Sequence, residues 1–420
     1  MNAHRFATHS LTDLRIFRIL SAALEAVDPY SAVKKHLPRI TGNAHGLAIG
    51  KASIPMLTAL AEAIPLSSAL AISKHASGLN SSLFPVLLGG HPVPNLDSLR
   101  AGERALEFVA ALSENDTLIC LISGGGSALM TAPHEGISLE DMQTLTSLLL
   151  SCGARIDEIN ILRRQLDRVK GGGLARATRA KVVSLILSDV IGNPLEAIAS
   201  GPTVPDPTTR EDAIAVLKKY GIEKNAPVSI VDFLESGRLL PPFRKQAPGV
   251  HIIVGDNELA AQAALEQAGR EGFSAEILTN ELQGEAREAG VVLAKRLREE
   301  AARRPRPFCL IAGGETTVTM RGKGKGGRNQ ELALAAVDEL RGLENVMLVS
   351  LATDGEDGPT DAAGAVVTGE TRQRAERLGL DAADHLSRND AYAFFDALGD
   401  LIRTSPTGTN VNDLTFLFVI

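Results

Sequence analysis

The chain has 420 residues, 44% of them hydrophobic and 22% charged, a globular composition too long for a single hydrophobic core, so two domains are expected. Its net charge of -7 argues against a nucleic-acid partner, because such binding needs a basic surface to neutralise phosphates. No stretch is apolar for long enough to span a bilayer, and residues 1–30 lack an uninterrupted apolar export segment, so a cytoplasmic protein without membrane contact is expected.

In chain order, apolar periodicity predicts a helix over 12–27, a strand over 46–49, a helix over 53–63 and a strand over 69–72. A helix over 96–112, a strand over 117–122, helices over 139–151 and 156–169 and a strand over 181–187 follow. Pro241, Pro242 and Pro248 then interrupt the pattern, which places a junction there and divides the chain into 1–245 and 246–420. Beyond it come strands over 250–254, 308–312 and 346–352 and helices over 257–271, 285–300 and 329–340. Short apolar runs alternating with helices define an α/β class with parallel sheets. Cys120, Cys152 and Cys309 form no CxxC pair, and Cys120 and Cys309 sit in apolar runs as buried thiols.

In open α/β sheets the segments just after strands bind ligands. Ser123-Gly124-Gly125-Gly126-Ser127 puts three glycines between a strand and a helix. A tight turn needs glycine in any case, but three of them between two serines favour a phosphate or carboxylate cradle. The tract Lys170-Gly171-Gly172-Gly173 is either a second cradle or a helix end with a flexible exit. Lys51 ends a strand and opens a helix, although GLAIGKAS at 46–53 is not a Walker A loop, having three residues between its glycines. It either meets an anion or reaches along the surface to water. Gly313, Gly314 and Glu315, followed by Arg321, Lys323, Lys325 and Arg328 among four glycines, suit a triphosphate. Glycines 322, 324 and 327 also spell GxGxxG, a weak dinucleotide signal. Asp354 and Asp357 follow an apolar strand and suit Mg²⁺, and Asp189 ends another strand as a base or metal ligand. For each of these acids a helix cap or Asx-turn is the rival use.

With these runs in view, the chain resembles the class II glycerate kinases of the MOFRL family, often labelled hydroxypyruvate reductases. The resemblance spans about residue 8 to the end. It rests on GLAIGKAS, LLGGHPVPN at 87–95, LISGGGSAL at 121–129, SDVIGNPLEAIASGPTVPDPT at 188–208, AGGETTVT at 312–319, GKGGRNQELAL at 324–334, ATDGEDGPTDAAG at 352–364 and PTGTNVNDLTFLFV at 406–419. It implies a larger Rossmann-like N-terminal α/β/α domain with a mainly parallel sheet. A smaller α/β C-terminal domain would contain the MOFRL region, about 307–415, and the active site would lie in the cleft between them. The expected reaction is ATP-dependent phosphorylation of D-glycerate to 2-phospho-D-glycerate with Mg²⁺, with Lys51 and Arg328 matching the lysine and arginine proposed as catalytic in that family. Asp189 is the candidate base, Asp354 and Asp357 the candidate metal ligands. Ser123, Gly124, Gly125, Gly126, Ser127, Lys170, Gly313, Gly314, Glu315, Lys323 and Lys325 are candidates for the phosphates. The alternative is an NAD(P)H-dependent hydroxypyruvate reductase holding its pyrophosphate at 322–327. Homo-oligomerisation is left open.

Overall fold

Asp116–Ile122 is buried at every residue, the mark of a strand covered on both faces. In the computed structural model of the chain, which describes residues 3–75, 84–236 and 249–420, it is a central strand of a six-stranded sheet. In order along the chain these strands are β1 (Asn43–Ile49), β2 (Ser68–Ser73), β3 (Val86–Leu88), β4 (Asp116–Ile122), β5 (Lys181–Leu187) and β6 (Val250–Gly255). Their spatial order is β3-β2-β1-β4-β5-β6, and the pairs β3–β2, β2–β1, β1–β4 and β4–β5 are all parallel. The chain winds outward from β1 in one direction and from β4 in the other. The carboxyl ends of β1 and β4, aligned with Ile49 beside Ile122, therefore form the topological switch point, where open α/β sheets bind ligands.

A second sheet comprises β7 (Ser274–Leu282), β8 (Phe308–Gly314), β9 (Val346–Ala352), β10 (Gly364–Thr368), β11 (Leu401–Ile402) and β12 (Asp413–Val419), in the order β11-β10-β9-β12-β8-β7. Only β7–β8 is parallel; β8–β12, β12–β9, β9–β10 and β10–β11 are antiparallel. The parallel pairing read from the strand and helix alternation thus holds for the first sheet, as expected of the N-terminal domain, while the second α/β unit has a mainly antiparallel one. The fully buried β12 returns from the chain end and inserts between β8 and β9, which no local periodicity reveals. Helices Ala286–Ala301 and Arg328–Leu340 supply the core of this sheet with Leu297, Leu334 and Val337, against Phe308, Leu310 and Leu348.

By contacts the chain divides into a unit of 29–254 and a unit of 1–28 with 255–420. The expected boundary at 245/246 falls within 237–248, outside the described residues. The first 28 residues depart from the linear expectation because helix Leu14–Ala26 packs on helix Asn257–Arg270. Arg18 pairs with Glu271, Arg15 lies 4.9 Å over the Phe273 ring, and Asp400 accepts from the backbone N–H and hydroxyl of Ser10 at 2.8 and 2.9 Å. Among the described residues no helix is long and apolar enough to cross a membrane.

Candidate active site

At the switch point the backbone leaving β1 is laced to the backbone leaving β4. Ser123 N donates to Ile49 O at 2.9 Å, Lys51 N to Gly124 O at 2.9 Å, and Ala52 N to the Ser123 hydroxyl at 3.0 Å. Gly50 makes this approach possible: its φ is +117° and a methyl group there would lie 2.4 Å from Ser123 O. At Gly124 a methyl group would fall 2.0 Å from Asp189 Oδ2, and at Gly125 it would meet the His91 ring at 3.1 Å and the Lys51 stem at 3.4 Å. Lys51, Asp189 and the 123–126 turn, picked out separately in the sequence, thus converge. His91 joins them; the sequence offers it, with His45, only as an acid for the reductase alternative and otherwise as a surface or satisfied histidine, because a lone histidine after two glycines carries no signal of its contacts. Burial, reinforced by the Lys51 and Lys74 charges, pushes its imidazole down to about 4, so it is neutral near pH 7.

The far side of the turn is braced. Gly126 faces Ala199, with 2.8 Å between the positions of the two methyl groups, and the Ser127 and Ser200 hydroxyls are 2.8 Å apart. Ala199, Ser200 and Gly201 are consecutive left-handed residues with φ of 49°, 58° and 60°. Such conformations cost non-glycine residues about 1–2 kcal/mol each and cluster at functional sites. The 171–173 tract docks onto this turn, Gly171 N donating to Ser200 O at 3.0 Å and Gly172 N to Gly201 O at 2.7 Å.

Lys170 needs correction. Its side chain is 3% exposed and its ammonium is committed to the buried Asp167 carboxylate, Met130 O at 3.2 Å and the Thr131 hydroxyl at 3.4 Å. A buried ammonium demands a carboxylate partner, and Asp167 satisfies it without an external phosphate.

In the second unit Arg328 opens helix Arg328–Leu340. Its guanidinium forks onto both oxygens of Asp413, Nη2 to Oδ1 being 3.1 Å, while Nη1 bonds Glu315. Burial, with Asp357 acting in the same sense, pushes the Asp413 carboxyl up to about 7 against the pull of Arg328. Asp413 was quoted only as part of the closing motif; it lies far from Arg328 in sequence and only the return of β12 joins them.

Gly313 and Gly314, read as phosphate ligands, serve packing: methyl groups there would lie 1.8 Å from Asn257 Oδ1 and 2.3 Å from Leu282 O. Lys323 and Lys325 are exposed, Lys325 standing 4.1 Å over the Tyr392 ring. Asn389 Oδ1 accepts from Arg321 N and Gly322 N at 2.6 and 3.0 Å, and Gly324 N donates to Arg388 O at 3.0 Å. Glycines 322 and 324 therefore make room for the 388–390 turn. Residues 315–327 separate β8 from its helix, so the strand-turn-helix context that a dinucleotide fingerprint requires is absent here.

Asp357 is also corrected. It is 1% exposed and its oxygens accept from Asn329 N at 3.0 Å and Gln330 N at 2.8 Å, which caps helix Arg328–Leu340. Asp354 is half-buried, with Oδ1 accepting from Glu356 N at 3.1 Å. Among the described residues no three His, Cys, Asp or Glu side chains gather as a metal cage. Mg²⁺ takes only one or two protein carboxylates beside phosphate oxygens and water, a demand that Asp354 fits and the capped Asp357 does not.

A parallel sheet with a lysine on its glycine-lined switch point, and a second sheet presenting an arginine fork beside carboxylates, are the equipment of an α/β phosphotransferase, the class to which relatives of the chain belong. Residues 15–235 match the model described as a domain of unknown function (DUF4147), and residues 308–413 match the MOFRL family. A D-glycerate 2-kinase from Thermotoga maritima is 44% identical, over 99% of this chain and 100% of its own. A glycerate 2-kinase from Pyrococcus horikoshii is 40% identical over 96% of each. A relative from Agrobacterium vitis, 38% identical over 96% of this chain and 93% of its own, bears the name hydroxypyruvate reductase. The crystal structure of Thermotoga maritima glycerate kinase superposes with a TM-score of 0.88 at 42% identity, covering 96% of this chain and 98% of that one. The chain belongs to the glycerate kinase family with a C-terminal MOFRL region.

Proposed function

We propose that the chain transfers the γ-phosphoryl group of ATP to the 2-hydroxyl of D-glycerate, yielding 2-phospho-D-glycerate and ADP. The observation that carries this reading is the convergence of Lys51, Asp189 and the 123–126 turn on the switch point. Phosphoryl transfer asks chiefly for alignment and for cancellation of charge on the moving group. Lys51 supplies a point charge for the phosphoryl oxygens, and the glycine backbone at 124–126 approaches them without Cβ atoms. Arg328, its fork already shaped by Asp413 and Glu315, serves a planar oxyanion, either the transferring group or the glycerate carboxylate.

Asp189 takes the hydroxyl proton as the oxygen–phosphorus bond forms and the bond to ADP breaks. Neutral His91 beside Lys51 adds a polar wall that does not compete for the proton. Asp354 would hold Mg²⁺, which when bound neutralises phosphate charge. Lys323 and Lys325, exposed on their loop, add positive potential for a nucleotide.

The test is incubation of the purified chain with ATP, Mg²⁺ and D-glycerate, with the product identified by phosphorus and proton NMR. Signals of 2-phosphoglycerate are expected. Oxidation of NADH by hydroxypyruvate with no phosphorylated product would overturn the reading in favour of a reductase.

A further inference from the structure

A cavity of about 780 Å³ opens in the unit of 29–254, within the size range of small-molecule sites. It shares no lining residue with the switch-point turn. In its lining the Phe233 ring stacks on His134, centroids 4.7 Å apart, and the Arg210 guanidinium lies 4.7 Å from the Phe233 centroid. Both terminal nitrogens of Arg210 and Nε2 of His134 are buried with no hydrogen-bond partner. Arg168 also lines the cavity but is already paired with Glu103.

Unpaired buried donors are costly, those of a charged group most of all. Three of them around one aromatic ring, beside an open cavity, are donors awaiting an acceptor. We propose that this cavity binds a small organic acid. Its single carboxylate or phosphate accepts from Arg210 and from the Nε2–H tautomer of His134, and its apolar body lies against Leu96, Leu99 and Ile137. Those three residues line the same cavity. Two further observations narrow the ligand. Burial pushes the His134 imidazole down to about 4, with Asp167 opposing and Arg168, Arg210 and Arg176 reinforcing the shift, so His134 offers a neutral donor and Arg210 a positive charge with no ion pair among the described lining residues. Glu135 and Glu140 also line the cavity and are exposed; their charge repels polyanions such as nucleoside triphosphates. The site thus selects one compact anionic head on an apolar body, a chemistry unlike the reactants proposed above and independent of that reading.

Benzoate and phenyl phosphate, titrated calorimetrically into the full chain, separate the carboxylate and phosphate sources. At least one should bind, and Arg210→Met should weaken it by roughly tenfold or more, the loss of a charge-assisted hydrogen bond. His134→Phe, which keeps the stack and removes the donor, should weaken it by roughly threefold to tenfold. Neither change should alter basal kinase turnover. The chain contains no tryptophan, so Phe233→Trp places a lone fluorophore in the cavity that must respond over the concentration range of the heats. Absence of binding by both probes, or unchanged affinity in Arg210→Met, or a silent Phe233→Trp reporter would each overturn the proposal. If Arg210→Met fails to fold, by far-ultraviolet circular dichroism, His134→Phe and the reporter decide it.

Discussion

Gly50→Ala adds a side chain at the position whose missing Cβ lets the backbone after β1 approach Ser123 at the switch point. With φ at +117°, an L-residue there incurs about 1–2 kcal/mol of backbone strain. The new methyl group would lie 2.3 Å from the Ser123 hydroxyl, 2.4 Å from Ser123 O and 2.7 Å from Ser123 C. The hydroxyl can rotate away but the carbonyl is main chain, fixed on either side by the Ser123 N–H bond to Ile49 O and the Lys51 N–H bond to Gly124 O, so overpacking adds about 1–3 kcal/mol. The sum is a loss of about 2–5 kcal/mol. Gly221→Ala in the same unit is the matched control, since Gly221 also has positive φ, +62°, but no atom within 4 Å of the added methyl group. It should lose only the strain term, about 1–2 kcal/mol. Urea unfolding followed by circular dichroism measures both. Relief of the clash moves the Lys51 backbone by about an ångström, and a misplacement of that size lowers turnover by about 10²-fold, read in a coupled ADP-release assay. Equal unfolding midpoints for the two variants, with Gly50→Ala turnover within about twofold of the parent, would refute the claim that close approach at Gly50 positions the lysine.

Arg328→Ala should lower turnover by about 10³-fold, as loss of an arginine at a transferring phosphoryl group does. Arg328→Lys should rescue little, because an ammonium cannot reproduce the fork onto Asp413 and the bond to Glu315; steady-state kinetics checks both. Lys170→Met should destabilise the fold by about 3–5 kcal/mol by stranding the buried Asp167 carboxylate, while the double change with Asp167→Asn should be milder in the same unfolding assay. A raised KM for ATP at unchanged stability would instead restore Lys170 to a ligand role. Asp354→Asn should raise the Mg²⁺ concentration needed for half-maximal turnover without lowering stability. Asp357→Asn should do the reverse, costing about 0.5–2 kcal/mol through the weakened helix cap. His91 and His134 both sit at about 4 in the folded chain against an ordinary 6.5. The unfolded chain therefore binds protons that the fold refuses as pH falls from 6.5 towards 4. The stability associated with these rings is present above about pH 6.5 and lost on acidification, and His134→Phe should flatten part of that loss in unfolding midpoints measured at about pH 5 and about pH 7.

The amino-acid sequence alone determined which segments are strands and helices where apolar periodicity was strong. The runs at 181–187 and 346–352 and the helices at 53–63 and 139–151 stand in the structure with those bounds. It also marked the glycine tracts at 123–127 and 312–327 and the ordered motifs of the glycerate kinases, because both are written in contiguous residues. Short or irregular strands such as Val86–Leu88 and Leu401–Ile402 were not legible, being too short for a period to show. Tertiary structure decided the rest: that β12 inserts between β8 and β9, that helix Leu14–Ala26 joins the later unit, and that His91 stands beside Lys51. It decided too which charges are already spent, Lys170 on Asp167 and Asp357 on a helix end, and which glycines make room for a neighbouring turn. The physical reason is that periodicity and turn chemistry act over a few residues, whereas the partner of a buried charge or of a missing Cβ is chosen by whichever distant segment packs against it.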